Sequence, residues 1–163
     1  MAVSADRSSH QLCELSVIGG FLDGVKFDFS QGLNCIIGAR GTGKTTTLEL
    51  IRYAMGKMPE SPAAGKRLES LVGANLNGGR IELKIRTKDG LNYTVSRVCG
   101  EAPVVLDTNA QPTGLSLCSG SFFKIDVYSQ NEVENMADNP LSQLNLIDNF
   151  EPEKLTEIEA QIQ

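Results

Sequence analysis

Apolar and polar positions alternate along the first part of the chain, and the alternation predicts strands. Residues 12–18 alternate until Gly19-Gly20 breaks the pattern. Val25, Phe27 and Phe29 then alternate with Lys26 and Asp28, which predicts a second half-buried strand. Gln31-Gly32 turns the chain, and the apolar run Leu33 to Ile37 reads as a short buried central strand. From Lys44 the period lengthens to that of a helix. Leu48, Ile51 and Met55 share one face with Leu50 and Ala54 beside it, Gly56 is placed to cap the end, and Pro59 follows. Residues 57–66 read as a mobile connection. The clearest hairpin spans 80–86 and 91–98: Ile81, Leu83 and Ile85 alternate with charges, Lys88-Asp89-Gly90 supplies the turn, and Tyr93, Val95 and Arg97 lie on the return strand. Short strands are expected at Val104 to Leu106 and Ile125 to Tyr128, with turns over 107–121. Asn139-Pro140 opens a helix with Leu141, Leu144 and Ile147 recurring, and Pro152 restarts one with Leu155, Ile158 and Ile162. This last spacing fits one heptad of a coiled coil or an ordinary amphipathic helix. Because the pattern still runs at Gln163, a longer protein is expected.

Composition narrows the class. At 163 residues and 40% hydrophobic, the chain suits one domain with a sizeable core. No apolar run approaches the ~20 residues of a spanning helix, and the start, Met1 to His10, lacks the apolar centre of a signal peptide. A soluble cytoplasmic protein is expected, with residues 1–11 as a disordered tail. Cys13, Cys35, Cys99 and Cys118 are far apart and read as reduced thiols; His10 is the single histidine, so a zinc site is not expected. A net charge of −5 argues against a surface built mainly to bind nucleic acid.

One motif changes the picture. Gly38-Ala39-Arg40-Gly41-Thr42-Gly43-Lys44-Thr45 fits the P-loop pattern G-x-x-x-x-G-K-[ST] at every fixed position. Glycines let the backbone curl so that successive N–H groups face phosphate oxygens, and the next helix offers its free N–H groups and positive dipole end. Lys44 places a point charge near the β- and γ-phosphates, and the Thr45 hydroxyl can reach a magnesium ion. Gly38, Ala39, Arg40, Gly41, Thr42, Gly43, Lys44, Thr45 and Thr46 are therefore the candidate nucleotide contacts, with ATP and Mg2+ as cofactors. Thr46 lies within reach of the α-phosphate, although Thr46 and Thr47 can equally cap and pack the helix. The alternative is a chance match in a glycine-rich turn, against which stand the apolar run before the loop and the amphipathic pattern after it. The D-x-x-G and N-K-x-D strings of GTPases are absent.

The order of motifs resembles the N-terminal lobe of the SMC-like branch of ABC ATPases, which includes chromosome-maintenance, RecN-type and double-strand-break-repair proteins. The resemblance rests on Val25 to Phe29, Gly32 to Ile37 leading into the P-loop, the helix Thr47 to Gly56, and the hairpin Gly79 to Arg86 with Tyr93 to Arg97. It covers about residues 12–163. It implies an α/β P-loop fold: an ABC-type lobe over 12–150 with an antiparallel hairpin, then helices over 151–163 leading toward a coiled coil. It also implies a Q-loop, whose glutamine helps hold magnesium and the attacking water. Gln130 in Val127-Tyr128-Ser129-Gln130 matches by order and by an expected strand-end setting, whereas a glutamine that simply caps a turn would read the same. Arg40 departs from the family's usual asparagine; it can contact phosphate or a partner, or be an exposed loop cation. The arginine that the family carries near its first strands is not evident.

By the same resemblance, ATP clamps two heads together and hydrolysis releases them, with DNA the ultimate partner in repair, chromosome maintenance or phage defence. By the same resemblance the catalytic half is expected to lie outside these 163 residues. Leu117 to Ser121 lacks the second glycine of a signature motif, Asp107 is followed by Thr108 rather than a glutamate, and Phe122 to Asp126 has Lys124 within it. These belong after the coiled coil in family order, in a C-terminal lobe of the same protein, so the chain alone is expected to hydrolyse poorly. Two rivals stay open: a self-sufficient P-loop kinase or small NTPase using Asp107 or Asp126 for magnesium, and a non-hydrolysing ATP-gated interaction module.

Overall fold

The computed structural model describes residues 9–59, 61–117 and 122–150. The chain divides after Asp126 into two compact units.

The first unit is a five-stranded antiparallel sheet with two helices on one face. Its strands are β1 Gln11–Ile18, β2 Lys26–Asp28, β3 Arg80–Arg86, β4 Asn92–Val98 and β5 Val104–Leu106, in the order β2-β1-β3-β4-β5. The register is fixed by period-two burial: Ile81, Leu83 and Ile85 are buried while Arg80, Lys84 and Arg86 are exposed. A slip by one residue would drive those charges into the core. Leu15 pairs with Leu83 and Leu83 with Val95, so one row of apolar side chains crosses the central strands.

That row is covered by helix α1 Lys44–Ala54 and helix α2 Pro62–Leu76. Leu50, Ile51, Tyr53, Ala54 and Met55 from the α1 end join Leu68, Val72 and Leu76 of α2, with Leu117 and Phe123, in one core cluster. Each fully buried leucine or isoleucine contributes about 1.5–3 kcal/mol over an exposed one.

Three expectations are corrected here. The connection over 57–66 contains the start of α2, which follows Ser61 with Pro62 in its first turn and ends at Asn77 in the left-handed region, φ 44°. Leu68, Val72 and Leu76 recur every four residues and bury the helix against the sheet, so packing overrides the cost of Gly65 and Gly73 within it. His10, read as part of a tail, packs its ring 4.7 Å from that of Phe123, and β1 begins at the next residue. Leu33 to Ile37 is not a strand: Leu33 and Ile37 are 89% and 92% exposed. No described strand lies beside this run, so its backbone has no ladder to join. The turn before it is instead held by the Asn34 side chain, which accepts from the Ser30 N–H at 3.0 Å and donates to the Ser30 and Gly32 carbonyls.

The second unit holds helix α3 Gln130–Asp138 and helix α4 Pro140–Phe150. Asn139 caps α4 as its side chain accepts from the Leu141 and Ser142 N–H groups. The expected strand at Ile125 to Tyr128 does not form. Ser129 instead starts α3 with a capping box: its hydroxyl accepts from the Glu132 N–H, and the Glu132 carboxylate accepts from the Ser129 N–H at 2.7 Å. The helical restart at Pro152 lies outside the described residues. Among the described residues, no helix is long and apolar enough to cross a membrane.

Candidate phosphate-binding site

The loop before α1 closes on itself. Ala39 and Thr42 form a turn in which the Ala39 carbonyl accepts from the Thr42 hydroxyl at 2.8 Å and from the Thr42 N–H at 3.4 Å. Arg40 and Gly41 are the central residues, and Gly41 sits at φ 84°, as the second central position of a type II turn requires. Gly38 faces the same closure. A Cβ there would lie 2.6 Å from the Thr42 hydroxyl oxygen, closer than real Cβ contacts allow.

Lys44 is folded over this loop, donating from Nζ to the Gly38 and Ala39 carbonyls, both at 2.7 Å. The ammonium is therefore held against the carbonyls at the start of the loop. At the helix start, Gly43 (φ 84°) offers no side-chain cap, and no acidic residue lies in the first turn. The first N–H groups of a helix have no intrahelical partner, so those of α1 are left for an anion. The first ladder bond, Thr47 N–H to the Gly43 carbonyl at 2.8 Å, is doubled by the Thr47 hydroxyl at 3.0 Å. Thr47 is buried and packs the helix, Thr46 is half-buried, and Thr45 is exposed.

These residues fit a nucleotide phosphate chain. The turn is tight because Gly38 has no Cβ to meet the Thr42 hydroxyl, the uncapped helix end supplies donors, and Lys44 supplies a charge held by two carbonyls. Thr45 is the residue that would hold magnesium. Gly38 to Thr46 are thus brought together on one loop and one helix start.

Gln130 is the first residue of α3 and belongs to the second unit, at a helix start rather than a strand end. Asp107 has a structural job. Its Oδ1 accepts from the Asn109 and Gln111 N–H groups at 2.8 and 2.9 Å, closing the turn after β5. Residues 118–121 of the signature-like run lie outside the described residues. Sequence reasoning placed Thr42 at a variable motif position and so missed that its hydroxyl closes the loop; a variable position carries no signal for such a bond.

Comparisons with known proteins agree with the sequence resemblance. The pattern of the AAA domain family matches residues 13–163. A chromosome partition protein Smc from Lactiplantibacillus plantarum is 31% identical over 59 residues, covering 36% of this chain and 5% of that protein. One from Desulfitobacterium hafniense is 31% identical over 52 residues, covering 32% of this chain and 4% of that protein. The chain thus spans only a small part of the length of these relatives.

Proposed function

Because the chain belongs to the AAA domain family, we propose that it is the ATP- and magnesium-binding part of an SMC-like ATPase. The observation that carries this reading is the closed loop with Lys44 above it and an uncapped helix end beside it. In this reading the N–H groups at the start of α1 bind the phosphates, and Lys44 exchanges the Gly38 and Ala39 carbonyls for phosphate oxygens. Thr45 would hold a magnesium ion, which would supply positive charge against the phosphates. Gln130 is assigned, by its place in the motif order, to positioning that ion and the attacking water.

Hydrolysis is proposed to need groups that these residues lack, supplied by a complementary lobe and by a second head on ATP-dependent pairing. The exposed apolar run Leu33 to Ile37 supports this, because a strand from such a lobe would give it the ladder it lacks. DNA is the proposed ultimate partner, in a cytoplasmic role in repair, chromosome maintenance or phage defence, following the partition function that the relatives' names carry. The kinase rival is weakened by the engagement of Asp107 in its own turn.

Calorimetric titration with Mg-ATP tests the reading: Lys44→Ala should abolish binding, and unchanged affinity would refute it. The chain alone should turn over ATP very slowly, since a positioned general base typically contributes about 10²–10⁴-fold. Vigorous turnover lost in Asp107→Ala would favour the self-sufficient enzyme instead. ATP-driven pairing with no turnover, even with a complementary lobe present, would favour the interaction module.

A further inference from the structure

The P-loop carries a second cation that the phosphate cradle does not account for. Arg40 and Lys44 are the two charged side chains between Asp28 and Glu49, in a chain of net charge −5. Their situations differ. Lys44 is held by two loop carbonyls. Arg40 is exposed, and its guanidinium makes no hydrogen bond or ion pair with any described residue. It occupies the first central position of the Ala39–Thr42 turn, a corner fixed by the Thr42 hydroxyl bond and by Gly41 in the left-handed region. The backbone at the base of this side chain is thus fixed, while its tip is uncommitted among the described residues.

We propose that Arg40 binds the terminal phosphate of a nucleoside triphosphate and makes this site prefer triphosphate over diphosphate. The inference rests on the nucleotide reading above. Arg40 and Lys44 stand on the same short loop, so a triphosphate held at the start of α1 with its outer phosphates near Lys44 would also be open to a long side chain from the Ala39–Thr42 corner. A guanidinium donates two parallel N–H groups and is best matched by two adjacent oxygens on one centre. The terminal phosphate offers three non-bridging oxygens and the highest charge, whereas each bridged phosphate offers two. Asparagine, usual at this position in the resembling family, brings no charge. Arg40 therefore gives this chain a discrimination that the motif's fixed positions do not contain.

The test is calorimetric titration of this chain with a non-hydrolysable Mg-ATP analogue and with Mg-ADP, for the wild type, Arg40→Ala, Arg40→Lys and Lys44→Ala. Arg40→Ala should weaken the triphosphate by about ten- to a hundredfold, the scale of a charge-assisted hydrogen-bonded pair, and the diphosphate by less than about twofold on the same scale. Arg40→Lys should recover only part, because an ammonium lacks the fork. Melting of Arg40→Ala should be unchanged, as no hydrogen bond or ion pair to a described residue is lost. If Lys44→Ala loses both nucleotides while Arg40→Ala alters neither, or alters both equally, the Arg40 assignment is overturned and the nucleotide reading stands. If Lys44→Ala binds like the wild type, the nucleotide reading fails and takes the Arg40 assignment with it.

Discussion

The guanidinium of Arg97 lies 3.7 Å from the centroid of the Tyr53 ring and donates through Nη1 to the Tyr53 carbonyl. The same arginine donates from Nε to the Glu101 carbonyl at 2.7 Å, and the Tyr53 hydroxyl accepts from the Gly100 N–H at 2.9 Å. Two side chains thus tie the carboxyl end of α1 to β4 and its turn. The placement suits the charges, because the carbonyls at a helix end attract a cation. The opposite end of α1 carries the P-loop, so this tie sets the helix against the sheet. Arg97→Ala should cost about 1–3 kcal/mol, combining a stacked cation with one part-buried and one exposed hydrogen bond to carbonyls. Arg97→Lys should recover little of it. Urea denaturation measures both, and a loss below about 0.5 kcal/mol, the usual scale of a surface substitution, would show the tie to be ornamental.

Gly38 and Thr42 should be coupled. A methyl group on Gly38 meets the Thr42 hydroxyl at 2.6 Å, and that hydroxyl is the one closing the loop onto Ala39. Gly38→Ala is therefore expected to open the turn and weaken Mg-ATP by about tenfold or more, the scale of one lost hydrogen bond plus misplaced donors. In a Thr42→Ala background the oxygen is gone, and the same Gly38→Ala change should cost far less. A double-mutant cycle on ATP affinity measures the difference; additive effects would mean that the contact does not shape the loop.

Much of this was legible in the sequence, for reasons that differ by element. The β3–β4 hairpin was readable because a half-buried strand must alternate, and Ile81, Leu83 and Ile85 do so without exception. Even the side on which Arg97 lies follows from its pairing with Ile81, although its partner Tyr53, 44 residues away, does not. The tight glycine turn before α1 was readable because Gly38 and Gly43 fall where a motif asks for a backbone without side chains. Helix α2 was overlooked because Pro62, Gly65 and Gly73 look like loop residues, although Ser61-Pro62 followed by Leu68, Val72 and Leu76 at spacings of four is a helix signal. Leu33 to Ile37 failed for the opposite reason. An apolar run says that a segment can be buried in a sheet, but whether it is depends on a neighbouring strand, which is not a property of the run.

Glu14 should set part of the acid stability of the sheet. It lies on the open face at the centre of three strands, with Lys26 of β2 at 3.0 Å and Lys84 of β3 at 3.2 Å. Partial burial pushes its carboxyl up, but the hydrogen bonds from Lys26, Lys84 and Ser16 outweigh this and hold it below the ordinary 4.5. A carboxyl lowered on folding stabilises fully above its unfolded value, and that contribution is lost as pH falls through the folded one. Glu14→Gln should cost about 0.5–2 kcal/mol near neutrality, as expected for two partly exposed pairs, and should flatten stability below pH 4.5. Denaturant midpoints from neutral to acid pH give the comparison, and parallel curves for the two proteins would exclude the role.

His10 should contribute a separate dependence at higher pH. Its ring stacks near Phe123 at a tilt of 51°, and its Nδ1 accepts from the Lys88 N–H at 3.3 Å. Burial lowers its pKa below 6.5, the nearby Lys88 charge lowers it further, and Asp89 opposes them. The folded chain therefore prefers the neutral ring, whereas the unfolded chain protonates at about 6.5. The sign follows. Below 6.5 the unfolded state binds the extra proton first, so stability falls as pH drops through the lowered folded value, and the contribution is complete above 6.5. Protonation also removes the lone pair that Nδ1 offers to Lys88. His10→Gln keeps an acceptor without titrating. Its denaturant midpoint should change less than that of the wild type between pH 7.5 and pH 5.5, values chosen to bracket about 6.5. If both midpoints fall equally across that range, the dependence comes from another group and His10 is only a packing residue.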